Sequence, residues 1–273
     1  MTLFALPLHG ATVLAAGDGG GFHTPTLADF FPPAIFFEGT PFEFNRITLV
    51  RVFVTVVLLT VFAIAARRAK LVPGRFQGGV EMVLDFVRVQ IVEEIIGKKT
   101  ARRHTPLLTI MFVTIFAFNI TGIVPALNIA GSGVIGFPIV MALVAYVAFI
   151  VAGVRAQGGA HFLKSSLFPS GVPWPIYFIL TPIELISTFI LRPATLAIRL
   201  LVNMVAGHLL LVLCFAATHF LFLEAAGALK LVGGVTLAAG FAFTAFEIFI
   251  AVLQAYIFVL LTAVYINLSE EAH

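Results

Sequence analysis

An all-α polytopic membrane protein is what this sequence predicts, and three observations carry the prediction. Of its 273 residues, 60% are apolar and 11% charged, against roughly 25% charged in an ordinary soluble domain. Apolar runs of bilayer-crossing length, about 20 residues, recur along the chain. The charges gather between those runs, with nine of the sixteen Lys and Arg residues lying between Arg67 and Arg103. Such a chain cannot cover itself with a polar shell, so lipid is its solvent. The clustering also argues against nucleic acid as a partner. The net charge of +3 is concentrated where basic loops set membrane orientation, not spread as a phosphate-binding surface.

One membrane domain over 1–273 is expected, and its elements follow in order. Residues 1–46 are rich in Gly, Pro and Phe, and Pro32, Pro33 and Pro41 oppose a continuous helix. An irregular extracytoplasmic or interfacial segment is expected there. Its start lacks the basic residues that open a cleaved signal. Residues 47–66 form the first span, closed by Arg67, Arg68 and Lys70. Over 76–97 the apolar residues Val80, Val83, Leu84, Val87, Ile91 and Ile95 recur at helical spacing, with Glu81, Asp85, Arg88 and Glu94 opposite. That pattern predicts an amphipathic helix lying in the interface.

Residues 106–126 and 134–154 are two spans joined by a short uncharged loop with Asn128, Gly131 and Gly133, hence a helical hairpin over 106–154. Arg155, His161 and Lys164 mark the next polar loop. Residues 174–223 and 235–268 are each long for one crossing, which predicts a tilted hairpin over 174–268. Pro193 is expected to kink its first helix. Basic loops at 67–105 and 155–173 are expected to be cytoplasmic. Five crossings then leave the C-terminus cytoplasmic. Cys214 stands alone in an apolar run, so neither a disulfide nor a multi-thiolate metal site is expected, and a buried inert thiol is.

The last hairpin carries Glu184, Arg192, Arg199, His208 and Glu247 within apolar sequence. An arginine at a span's centre costs from about 3 to above 10 kcal/mol, and ionisable residues there mark function or ion pairs. Arg192, beside Pro193, can snorkel; Arg199 lies deeper. Two readings stand: a structural ion pair of Arg199 with Glu184 or Glu247, or a functional cation. His208 alone is compatible with a hydrogen-bonded core histidine. Gln254 and Asn203 alone are compatible with helix packing. Asn119 and His219 are weaker candidates.

Helical geometry brings the candidates together. His208 follows Arg199 by nine residues, roughly 13 Å of helix. Gln254 follows Glu247 by seven, roughly 10 Å. In an antiparallel pair, placing Gln254 level with Arg199 brings Glu247 near His208. Glu184 lies on the other side of Arg199. Arginine keeps its proton at any accessible pH, so a fixed cation between two ionisable zones repels protons and attracts a carboxylate without relaying.

The segment RLLVNMVAGHLL at 199–210 closely resembles the signature of the F-type ATP synthase a subunit, in its bacterial form. PIELISTFILRPATLAIRL at 182–200, FEIFIAVLQAYIFVLLTAVYI at 246–266 and PGRFQ at 73–77 fit the same family. The resemblance covers most of the chain. It implies a proton-translocating stator subunit of a rotary motor in the cell inner (plasma) membrane. Arg199 would face a c-subunit ring. His208 and Glu247 would line the half-channel from outside, Glu184 the cytoplasmic one, and Gln254 and Asn203 would help hold Arg199. The c-ring, b-type peripheral stalk subunits, membrane lipid and protons are the implied partners. No nucleotide-processing catalytic site, cofactor or metal is implied. Some members have an acid at the position of His208 and a histidine at that of Glu247; here the two are exchanged, which keeps the pair.

Other readings predict different features. A different proton-coupled transporter or channel should show an internal repeat or broken helices around a substrate, and no repeat is visible. An intramembrane protease built on Glu93 and Glu94 lacks suitably spaced histidines. A purely structural subunit predicts that changing Arg199 alters stability and not proton flow.

Overall fold

The computed structural model describes residues 34–36, 44–70, 72–124, 127, 129–168, 173–224, 227 and 229–270. The expectations for 1–33, 37–43 and Asn128 lie outside them. Ala34–Phe36 (β1) and Phe44–Asn45 (β2) form a small antiparallel ribbon, with Ala34 opposite Asn45 and Phe36 opposite Phe44. This part of the N-terminal segment is therefore not irregular: Phe-rich stretches of few residues pair as strands where prolines forbid a helix.

The regular elements that follow, among the described residues, are all helical. Helix α1 (Arg46–Arg67) starts at Asn45, whose side-chain Oδ1 accepts from the Thr48 backbone N–H at 3.0 Å, an N-cap that satisfies one orphan donor. It buries only Ile47, Val50 and Val54, so most of its apolar surface faces outward. Helix α2 (Arg75–Val87) runs into a π-helical turn at Arg88–Glu93. The wider turn rotates Ile91 and Val92 together onto the inner face, and both are fully buried with Val87. A uniform helical period misses Val92 and puts Val83 inward, whereas Val83 is exposed. Glu93 pairs with Arg88 at 2.8 Å, so the acid raised for a protease is engaged at the surface.

Helix α3 (Lys98–Ile120) begins eight residues before the expected 106, so Lys98, Lys99, Arg102 and Arg103 occupy its first turns. Pro106 lies inside it. Proline removes one backbone donor, yet the helix continues through it. Helix α4 (Gly136–Gln157) ends at Gly158, and α5 (Gly159–Leu167) starts from the same residue. Gly158 has φ +83°, a backbone state that glycine adopts without steric cost and that allows the sharp change of direction.

Helix α6 (Trp174–Ile186) passes through a second π-helical turn, Ser187–Leu191, into α7 (Arg192–Leu223). Pro193 stands just beyond this turn. Its ring would meet the carbonyl four residues earlier in a regular helix, and that carbonyl, on Phe189, belongs to the widened turn. The irregularity thus lies ahead of the proline. Helix α8 (Leu229–Glu270) resumes after a short turn, six residues sooner than 235.

Among the described residues, five helical segments, Arg46–Arg67, Lys98–Ile120, Gly136–Gln157, Trp174–Leu223 and Leu229–Glu270, are long and apolar enough to cross a membrane. The protein is an all-α polytopic membrane protein. α7 packs along α8, and α8 also packs on α3 and α4. The core lies where these four helices meet, around Leu108, Ile115, Phe149, Leu200, Phe258 and Ile266. Cys214 is half-buried on α7, not sealed in the core.

Candidate functional site

The site lies on the α7–α8 interface and begins with an amide pair. Asn203 Nδ2 donates to Gln254 Oε1 at 2.8 Å, linking residues 51 apart in sequence. Two turns away on α8, Glu247 is 6% exposed. Its carboxyl group fits because α7 offers Gly207 opposite. A Cβ there would come within 3.1 Å of Glu247 Oε1, tighter than a relaxed contact. Neither carboxyl oxygen of Glu247, nor Gln254 Nε2, has a hydrogen-bond partner among the described residues. Burying such groups without partners is costly.

A small cavity opens at this point, lined by Asn119 of α3, Leu200, Asn203 and Met204 of α7, and Glu247 and Gln254 of α8. Apolar packing dictates the local register. Leu200, Met204 and Leu211 of α7 are buried, as are Ala251, Ala255 and Phe258 of α8. Those stripes carry Gln254 and Glu247 inward with them.

The sequence candidates can now be placed. Asn203, Gln254 and Glu247 line one cavity, and His208 follows Gly207, the residue facing Glu247. Arg199 does not line this cavity. It lies on the exposed side of α7 with Ile198 and Val202 and makes no ion pair or hydrogen bond among the described residues. The Gln254 carboxamide oxygen accepts from Asn203, one turn on from Arg199. A structural ion pair of Arg199 with Glu184 or Glu247 is likewise absent among the described residues. Glu184, on α6, is half-exposed beyond the π-helical turn and does not line the cavity. Arg192, expected to snorkel, lies with its guanidinium 5.1 Å from the centre of the Tyr265 ring, a cation–π contact.

Sequence reasoning undervalued Asn119 and missed Gly207. Asn119 is 3% exposed. Its one signal was a carboxamide at the end of an apolar run, a pattern that packing residues share. No group of three or more His, Cys, Asp or Glu side chains among the described residues could hold a metal.

The family model described as ATP synthase A chain matches residues 48–267. The chain belongs to that family. Proteins named ATP synthase subunit a are similar to it over nearly their whole length. The one from Rhodococcus erythropolis is 46% identical over 261 residues, covering 96% of this chain and 94% of the relative. The one from Parafrankia sp. is 37% identical over 269 residues, covering 97% and 89%. The one from Pseudarthrobacter chlorophenolicus is 36% identical over 265 residues, covering 96% and 99%. The ATP synthase A chain match takes in α1 through nearly all of α8, so it includes every residue of the cavity.

Proposed function

We propose that this chain is the proton-translocating stator subunit of a rotary ATP synthase in a bacterial plasma membrane, holding two offset half-channels against a c-subunit ring. The observation that carries the proposal is the contrast across α7: among the described residues, a buried carboxyl group without hydrogen-bond partners on the side facing α8, and an arginine without an ion pair on the outward side. Family membership supports the same reading. A cation exposed among Ile198 and Val202 has no counter-charge among the described residues, and a carboxylate on a moving partner would supply one.

Protons would reach Glu247 and His208 from the extracytoplasmic side and neutralise a ring carboxylate. They would leave past Glu184 after the ring has turned. Arg199, permanently charged, would stop them from crossing directly. Asn203 and Gln254 would steady α7 against α8 one turn from that charge. On this reading the subunit does no nucleotide chemistry and needs no cofactor. b-type stalk subunits would hold it still against the ring, and the C-terminus would be cytoplasmic.

The test is Arg199→Ala in the assembled complex. ATP synthesis and ATP-driven proton pumping in inverted vesicles are expected to vanish while the complex still assembles. Normal pumping would overturn the mechanism.

A further inference from the structure

The α3–α4 connection is fastened at many points. On α1, Arg51 Nε donates to the Gly131 carbonyl at 2.7 Å and its Nη2 to that of Val134 at 3.3 Å. Arg46 Nη2 donates to the Leu127 carbonyl at 3.1 Å. From within, the Gly131 N–H donates to Thr121 Oγ1 at 3.0 Å, and the Ser132 hydroxyl donates to Asn119 Oδ1 at 2.6 Å. Ser132 is fully buried, and Asn119 nearly so. Two arginines and a buried hydroxyl are more than a short loop needs in order to close.

Asn119 is where this network meets the cavity that also holds Asn203, Glu247 and Gln254. A carboxamide has one accepting and one donating end. With Oδ1 accepting from Ser132, the Nδ2 end is the donor the amide has left to offer. The cavity contains carboxyl oxygens without partners among the described residues, for which an N–H donor is the matching group.

We propose that Ser132 is a positioning residue of the proton path. It acts through Asn119, whose amide it orients toward the cavity, while Arg51 holds the loop that carries it. The inference rests on the proton-translocating reading above.

The experiment is a double-mutant cycle in the whole ATP synthase, reading ATP-driven proton pumping in inverted vesicles and normalising to assembled complex. Ser132→Ala is expected to lower pumping about five- to tenfold, the scale of one neighbour coupling. Ser132→Thr, which keeps the hydroxyl, is expected to stay within about twofold of wild type. In an Asn119→Ala background, Ser132→Ala is expected to cost nothing further. A loss from Ser132→Ala that is equally large without Asn119 overturns the proposal, as does wild-type pumping by Ser132→Ala. If the alanine variant fails to assemble, Ser132→Cys, close in shape and a poor donor, is read by the same criteria. Arg199→Ala in the same vesicles separates the two claims. Should it pump normally, the proton-path reading fails. Should it be inactive while Ser132 and Asn119 act independently, only this inference fails.

Discussion

The two carboxylates of α8 differ in one respect that decides their meaning. Glu270, at the end of the helix, lies 3.0 Å from His104 Nε2. Its neighbour Ser269 gives its carbonyl to Gln157 Nε2 at 2.7 Å, and Gln157 in turn accepts from Ser165 at 3.0 Å. Glu247, in the middle of the same helix, is buried without a hydrogen-bond partner among the described residues. An unpaired buried polar group costs about 1–3 kcal/mol, so a fold tolerates one where another requirement maintains it. The paired end fastens α8 to α3 and α4. The unpaired centre, on the reading proposed here, is kept for an ion in transit.

Substitutions at the two sites should therefore separate activity from stability. The largest effect is expected for Glu247→Ala. It should lower ATP-driven proton pumping at least about a hundredfold, the scale of removing a positioned proton-transfer group, with no loss in the thermal midpoint of the complex. A lowered midpoint with pumping intact would erase the distinction. Next comes the exchange of His208 and Glu247. The double variant His208→Glu, Glu247→His should pump about tenfold better than Glu247→Ala, because neighbouring groups couple by about 1 kcal/mol or more. If the exchange is as damaging as the deletion, the two do not work as a pair.

At the paired end the order reverses. His104→Ala should leave pumping within about twofold and cost about 1–3 kcal/mol of stability, since Glu270 loses its partner. Thermal denaturation of the purified complex measures it, and an unchanged midpoint would show that the pair fastens nothing. The smallest effect belongs to Asn203→Ala, which removes a single neutral hydrogen bond worth about 0.5–1.5 kcal/mol. A loss of pumping as deep as that of Glu247→Ala would move Asn203 from support into the path itself.

Much of this was legible along the chain. The spans were visible because hydrocarbon demands about 20 apolar residues at each crossing, and Arg199, His208 and Glu247 stood out because charge is costly there. The π-helical turn at Arg88–Glu93 was not visible, since one extra residue per turn leaves composition untouched while shifting which side chains face inward. That shift put Val92 in the core and Val83 outside. That α3 extends N-terminal to the apolar run, with Pro106 two turns inside it, was not visible either, because a basic, polar stretch before a proline reads as loop.

The order of residues alone determined a membrane protein, its helical segments and its family, because solvent and backbone hydrogen bonding constrain each segment separately. Only the packing of α3, α7 and α8 decided which polar groups meet. Counting residues along two helices fixes relative height only to within about a turn, and the structure adds that Gln254 accepts from Asn203, one turn from Arg199. Asn119 was only a weak candidate in the sequence, and Ser132 was not visible there at all. Their place beside the cavity depends on how a loop folds back between helices, and that is settled by contacts between distant parts of the chain.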